Sequence, residues 1–482
     1  MHRRVLCVPL LCLAFGCAPV RAQADLSNDA LATMKKATAY FTSEIACHGG
    51  YLWWYSADLK QRAGEGKATP SQIWIQPPGT PSVGLAYVRA YEATGDKQFL
   101  DAAVAAATAL VWGQLESGGW TYRVDFSRKG EKRSAYHHLK LKDLKGRRNI
   151  STLDDNTTQH ALRHLMAVDQ LVKDPEIHEA VVYGLDALLK AQLPKGGWAQ
   201  RFFLKAPKKQ TYRKTVRINP DGSRDTIERP RSYGHYYTFN DNTINDCISV
   251  LVEAHKRYGE AKYLDAVKKC ADFIILTQLK APQAGWAQQY TPDLKVEWAR
   301  RFEPPAVCGA ATYRNIRTLI DLYVTIGDER YLKPIPAALD WLDRSRLPGK
   351  KPRWARFYEL GTNRPLYFTK DKYELTYSSD NMPTHYSFTT STDFHGRGLA
   401  RYNKAKTKGR AALLADRDHK PTRDEMRAKA RDLEPRVRTI IAKLDDKGRW
   451  VSKNGKIECA WFNKNMKTLA DYIAAVRGAK GQ

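Results

Sequence analysis

A loose internal repeat constrains this chain more than any other feature of its sequence. Amphipathic segments recur in pairs at about 82–115, 157–192, 243–279 and 311–345, and three of the connecting turns read alike. Thr94-Gly-Asp-Lys-Gln-Phe-Leu100, Tyr258-Gly-Glu-Ala-Lys-Tyr-Leu264 and Ile326-Gly-Asp-Glu-Arg-Tyr-Leu332 each end one helix on glycine. Each starts the next on an acidic residue and sends an aromatic-Leu pair inward. The second helices also finish alike, in Gln114-Leu-Glu-Ser-Gly-Gly-Trp120, Gln192-Leu-Pro-Lys-Gly-Gly-Trp198 and Gln278-Leu-Lys-Ala-Pro-Gln-Ala-Gly-Trp286. Ahead of them Leu31, Met34, Ala37, Phe41 and Ile45 step by three and four, on one face of a first helix. Repeated antiparallel hairpins either stack in a line or close into a ring. The long insertions at 120–150 and 199–240 favour a mainly α ring, an (α/α) toroid, with elaborate loops on the rim where the Gly-Trp exits lie. The repeated Trp reads as core packing at a helix exit, with a sugar platform on the cleft floor as the competing reading.

Composition removes several other classes. Of 482 residues, 43% are apolar and 11% aromatic, so the formal charge of +28 does not belong to a disordered chain. No run after residue 20 approaches the apolar length of a membrane span. Residues 1–24 read as an export signal: Arg3 and Arg4, an apolar stretch over 5–20, and Ala22-Gln-Ala24 as a small-residue cleavage site. The destination is secreted or periplasmic. Leu13-Ala-Phe-Gly-Cys17 loosely resembles a lipoprotein box, although Phe15 is bulky for that role. Export leaves Cys47, Cys247, Cys270, Cys308 and Cys459, too widely spaced for a disulfide scaffold or a CxxC zinc site. Cys247 and Cys270 flank Gly259 nearly symmetrically, and two buried thiols are expected there in preference to a bond. The organisation that follows is a helical domain over 25–345 and an irregular segment with closing helices over 346–482. Within the latter, 403–424 reads as a basic, turn-rich exposed linker or excursion, and helices are expected near 425–444 and 467–477.

Two segments share a tripeptide at corresponding places in successive repeats: Leu153-Asp-Asp-Asn-Thr-Thr158 and Phe239-Asn-Asp-Asn-Thr-Ile244. Asp, Asn and Thr are favoured helix N-caps, which is the plain reading. Repeat geometry also brings Asp155 and Asp241 to one rim, where two carboxylates suit a hard cation such as Ca²⁺. The next repeat begins differently. Glu297-Trp-Ala-Arg-Arg-Phe-Glu303 sets Arg300 and Arg301 where the others set carboxylates, and Arg353-Trp-Ala-Arg-Phe-Tyr358 and Thr362-Asn-Arg-Pro365 add Arg353, Arg356 and Arg364. Guanidiniums recognise carboxylates through two parallel hydrogen bonds. Nine Lys/Arg against two Asp/Glu over 128–148, and nine against three over 205–231, add a basic rim that attracts polyanions at long range.

Gly197-Trp-Ala-Gln-Arg201, Phe239-Asn-Asp241, Gly285-Trp-Ala-Gln-Gln-Tyr290 with Ala299-Arg300, and Trp354-Ala-Arg-Phe-Tyr followed by Thr362-Asn-Arg-Pro365 together resemble the pectic acid lyases of polysaccharide lyase family 10. The likeness runs from about Asp155 to Lys370. It implies a toroid with an irregular, partly β second layer and cleavage of polygalacturonate by Ca²⁺-assisted β-elimination. It also implies calcium held by Asp155 and Asp241, substrate contact at Asn156, and removal of the C5 proton by Arg300. Arg356 would bind a uronate carboxylate, with Arg301 and Arg364 as further substrate-binding residues, and Lys370 falls where the family has a second substrate arginine. The family's Asn-Asp-Asp stands here as Asn240-Asp241-Asn242, one carboxylate fewer. A guanidinium is an awkward base, its pKa being above about 12. The reading therefore expects Arg301 and Ca²⁺ to lower the pKa of Arg300. The expected partner is an acidic polysaccharide rather than nucleic acid. Two other functions stay open: a uronyl glycoside hydrolase using paired carboxylates on a similar helical toroid, and a non-catalytic acidic-polysaccharide-binding protein.

Overall fold

The computed structural model describes residues 18–202 and 207–481. Residues 1–17 of the expected export signal, Cys17 of the lipid-box reading included, lie outside the described residues. The chain is an (α/α) toroid. Helix α1 (Ala18–Tyr40) runs on through a wide turn at Phe41–Ile45, and Met34, Ala37, Phe41 and Ile45 are buried as their spacing predicts. The expected hairpins follow as α2 (Thr80–Thr94) with α3 (Lys97–Gly113), α5 (Thr157–Asp169) with α6 (Pro175–Lys190), α7 (Thr243–Tyr258) with α8 (Ala261–Leu276), and α9 (Gly309–Ile326) with α10 (Ile335–Arg344). A short α4 (Arg128–Arg133) sits in the first insertion. The leading helices of the hairpins pack in succession, α2 on α5, α5 on α7 and α7 on α9, forming the inner row.

The chain past residue 390 extends this row. Residues 403–424, expected to be an exposed linker, are mostly helix: α11 (Phe394–Arg417) packs on α9 and α10. Its buried residues are only Phe394, Gly398 and Ala405, so it carries no apolar stripe to read. It is held instead by polar anchors such as Arg410, which donates to the Val324 and Thr325 carbonyls at the end of α9 (3.0 and 3.2 Å). Helices α12 (Arg423–Ala442) and α13 (Cys459–Lys480) pair, and α13 lies against α1 and α2, beside the first hairpin.

The repeated Gln and Trp explain the rim. Trp120, Trp198 and Trp286 are wholly buried, and each indole N–H donates to a carbonyl in the last turn or so of the outer helix before it: Leu110, Leu188 and Ile274, at 2.7–2.9 Å. Trp354 and Trp450 make the same bond to Leu342 and Ile440, so five repeats share it. The sugar-platform reading of these rings fails because they are buried, with their N–H groups serving orphan carbonyls at the helix ends. The glutamines fasten each exit loop to the next outer helix. Gln114, Gln192 and Gln278 each donate both to a carbonyl of their own Gly-Trp loop and to Ala180, Ala266 or Pro334 in the following repeat, at 2.7–2.9 Å. The Trp main chain then receives the segment leading into the next inner helix, through Thr152, Thr238 and Cys308 N–H to Trp120, Trp198 and Trp286 carbonyls. One rim therefore carries 153–156, 239–242 and the loop before α9 side by side.

Above that rim lies the β layer. Strands 224–230, 212–218, 375–376, 365–368, 357–359 and 306–308 form one six-stranded sheet in that order, joining the second insertion to the region after α10. Strand 72–74 pairs separately with 123–125 of the first insertion. Cys247 and Cys270 are buried free thiols, as are Cys308 and Cys459, and Cys47 is a half-buried one. Among the described residues no helix is long and apolar enough to cross a membrane.

Removing a Gln staple leaves two carbonyls without this donor. Gln192→Ala should destabilise the protein by about 1–3 kcal/mol, measured as a fall in the denaturant midpoint, with the far-UV spectrum unchanged.

Candidate active site

The two Asp-Asn-Thr turns are not helix caps. Asp155 (φ 50°) with Asn156 (φ 57°), and Asp241 (φ 47°) with Asn242 (φ 61°), are consecutive left-handed residues. Neither Asn156 nor Asn242 makes a side-chain cap bond. Left-handed backbone is disfavoured for side chains with a Cβ and costs on the order of 1–2 kcal/mol per residue. Spending it twice in each turn aims the carboxylates away from the helix ends and towards each other. Asp154, Asp155 and Asp241 each offer an oxygen, all three within 4.8 Å of one another.

These carboxylates meet one guanidinium. Arg300 Nη2 bonds Asp154 at 2.8 Å, and Nη1 bonds Asp241 at 3.1 Å and lies 3.6 Å from Glu303. Glu303, buried, accepts from the Arg300 main-chain N–H (3.1 Å), Asn240 (2.9 Å) and Tyr386 (2.9 Å). Tyr122 donates to Asp154 at 2.8 Å, and Gln76 to Asp155 at 2.9 Å. Three acids thus share Arg300, with Asp155 beside them, and Arg300 even with Arg356 acting on Asp241 does not neutralise all four. Burial, then Asp154 and Asp241, push Asp155 up to about 7 despite Arg300. Asp241 is raised by burial and Asp154. The other Asp154 oxygen, Oδ1, is buried with no hydrogen-bond partner. An orphaned carboxylate oxygen within a surplus of negative charge fits a hard divalent cation with oxygen ligands.

Comparison with known proteins gives the chemistry its context. Residues 114–353 match the family model described as pectic acid lyase. The chain belongs to the pectic acid lyase family. It is a polysaccharide lyase. A mutant family 10 polysaccharide lyase from Cellvibrio cellulosa, solved with trigalacturonic acid, is 18% identical with a TM-score of 0.45, over 68% of this chain and 97% of that one. A second structure of the family 10 polysaccharide lyase from that organism gives 18% identity and a TM-score of 0.46, over 68% and 96%. Cellobiose 2-epimerase from Bacillus thermoamylovorans gives 12% and 0.44, over 90% and 95%. No curated protein sequence matches the chain.

The lyase's remaining expected residues divide into those near the cluster and those away from it. Arg356 is near. Its Nη2 donates to Asn240 Oδ1 at 3.1 Å, and its guanidinium carbon stands 4.0 Å from the centre of the Tyr386 ring. Asn156 accepts from Arg163 at 2.8 Å, which fixes the amide beside Asp155. Arg301 turns away: its guanidinium lies over the Tyr373 ring at 4.6 Å and donates to the Lys372 carbonyl. Arg364 and Lys370 are exposed at the ends of strand 365–368, and neither side chain touches the cluster.

Arg301 does not supply the expected lowering of the Arg300 pKa. Burial disfavours its charge, but Glu303, Asp154 and Asp241 outweigh burial and hold the guanidinium protonated more firmly than usual. Arg301, the neighbour expected to repel it, faces elsewhere. Asp154 and Glu303 are the residues that motif reasoning passed over. Both stood inside the segments singled out, but aligning the two tripeptides paired Asp154 with uncharged Asn240 and hid it. Glu303 comes from the far end of a loop whose path only the fold supplies.

Cation binding should carry the signature of Asp155. Below a pKa of about 7 a proton competes with the cation, so affinity measured by titration calorimetry should rise with pH from 5 to 7 by up to about tenfold per unit and then level off. Asp154→Asn should abolish binding, and Asp155→Asn should weaken it and flatten the pH slope.

Proposed function

We propose that this polysaccharide lyase is an exported pectate lyase that cleaves polygalacturonate by calcium-assisted β-elimination, releasing unsaturated oligogalacturonides. The single observation that carries the calcium reading is the Asp154–Asp155–Asp241 cluster, with its unpartnered buried oxygen, on the rim where the family motifs converge. Export is supported by the N-terminal sequence alone.

In the proposed reaction the C5 proton leaves, C4 and C5 become doubly bonded, and the C4–O4 bond breaks. The leaving oxygen takes up a proton. The difficulty is the uronate carboxylate beside C5, whose negative charge makes a carbanion there expensive. Arg356 answers it directly: Asn240 and the Tyr386 face fix its guanidinium, and the edge not used by them suits a carboxylate. Bound at Asp154, Asp155 and Asp241, Ca²⁺ would supply a Lewis acid for that carboxylate and balance the acids that Arg300 now serves. Arg300 holds its proton while Asp154, Asp241 and Glu303 surround it. Its role as base therefore requires that its bonds to Asp154 and Asp241 be given up first. Asn156, braced by Arg163, offers its N–H₂ to a sugar hydroxyl.

Wild-type protein on polygalacturonate should generate the ultraviolet absorbance of an unsaturated uronide, and EDTA should abolish it. Hydrolysis that persists in EDTA with no such absorbance would overturn the reading in favour of a glycosidase. Asp155→Ala and Asp241→Ala should each eliminate turnover with the circular dichroism spectrum intact. Arg300→Lys should keep less than a tenth of kcat, a loss above about 1.4 kcal/mol. A higher residual rate would rule out Arg300 as the base.

A further inference from the structure

A cavity of about 410 Å³ adjoins the carboxylate cluster, lined by Glu65, Gly66, Trp74, Tyr122, Arg123 and Arg148. It touches the cluster through two of its walls. Tyr122 is the donor to Asp154, and the Trp74 indole donates to Gln76 (3.0 Å), which in turn donates to Asp155. A second cavity of about 420 Å³ shares Arg123 and Arg148 and extends the depression towards Arg133. The lining of both is built on fixed backbone. Arg123 lies in the strand paired with 72–74, and the Arg148 main chain is bonded on both sides, to the Arg133 carbonyl and the Ala135 N–H. Their guanidiniums, in contrast, have no hydrogen-bond or ion-pair partner among the described residues. The acid nearest to them in the second cavity, Asp125, is occupied by Ser71 and Gln72 at 2.9 Å each.

We propose that this depression is a distal uronate subsite, in which Arg123 and Arg148 take the carboxylate of a galacturonate unit remote from the scissile bond. The inference rests on the pectate reading of the neighbouring cluster and deepens it. Two free arginines on rigid backbone offer two-point recognition of a planar carboxylate. The Tyr122 ring and the edge of Trp74 supply an apolar wall for a sugar face, and exposed Glu65 accepts from hydroxyls. Arg148 belongs to the basic insertion for which the sequence suggests only long-range attraction. Here it acts at contact range, where salt screens less.

The test compares trigalacturonate with an oligomer of six or more units, using the wild type, Arg123→Ala/Arg148→Ala, and Gly66→Phe. The last variant is meant to fill the cavity from a lining position where an added Cβ meets nothing within 4 Å. Both variants should raise KM for the long oligomer about tenfold or more with kcat within about twofold. They should leave KM for the trimer unchanged, and the effect should persist in 0.5 M NaCl. An equal rise on both lengths, a rise that salt removes, or no rise would overturn the subsite. Calorimetric binding of both oligomers in EDTA, where turnover is not expected, reads the same length dependence without the reaction. A wild type that makes no unsaturated product therefore defeats the lyase reading, whereas wild type and variants that bind the long oligomer alike defeat the subsite.

Discussion

Three carboxylates with oxygens inside 4.8 Å, and a fourth close by, repel one another strongly enough that the site exists only because something positive stands among them. In this structure that is Arg300, which reaches Asp154, Asp241 and Glu303 at once. Arg300, even with Arg356 acting on Asp241, leaves four acids with a deficit of positive charge, which appears as the raised Asp155 and Asp241 carboxyls and the idle Asp154 oxygen. The same deficit makes the cluster receptive to a divalent cation and keeps Arg300 charged until its partners are released.

Such crowding needs a frame that does not yield. The frame is the repeat itself: an indole N–H closing each outer helix, a glutamine tying each exit loop to the next outer helix, and a Trp carbonyl receiving the segment that leads inward. Because these bonds recur with the same partners, the residues just before α5 and α7 occupy equivalent positions one repeat apart. The left-handed pairs at Asp155–Asn156 and Asp241–Asn242 then turn that equivalence into convergence. The sheet formed by the second insertion and the region after α10 adds Arg356, and Tyr386 completes the wall that orients it.

Much of this was legible in advance because it is local. Helix periodicity, the glycine stops at Gly95, Gly259 and Gly327, and the recurring Gln and Gly-Trp marked the hairpins. The shared Asp-Asn-Thr marked two of the three cluster residues. Helix α11 was not legible, since part of its fastening lies in Arg410 bonding two carbonyls of a distant helix end rather than in an apolar stripe. Nor was the fate of the Arg300–Arg301 pair, because adjacent residues in an irregular loop point in directions that only their partners decide.

The amino-acid order by itself determined a helical-hairpin ring, a basic polyanion-seeking rim and a set of acidic and arginine motifs like those of pectic acid lyases. These follow from periodicity, net charge and short motifs, each of which acts over a few residues or over the whole chain at once. Tertiary structure alone decided which charges meet. Asp154 and Glu303 join the cluster, Arg301, Arg364 and Lys370 stay outside it, and Arg123 and Arg148 face a cavity beside it. The physical reason is that electrostatic interaction falls off over ångströms, and spacing along the chain does not specify distance at that scale across repeats.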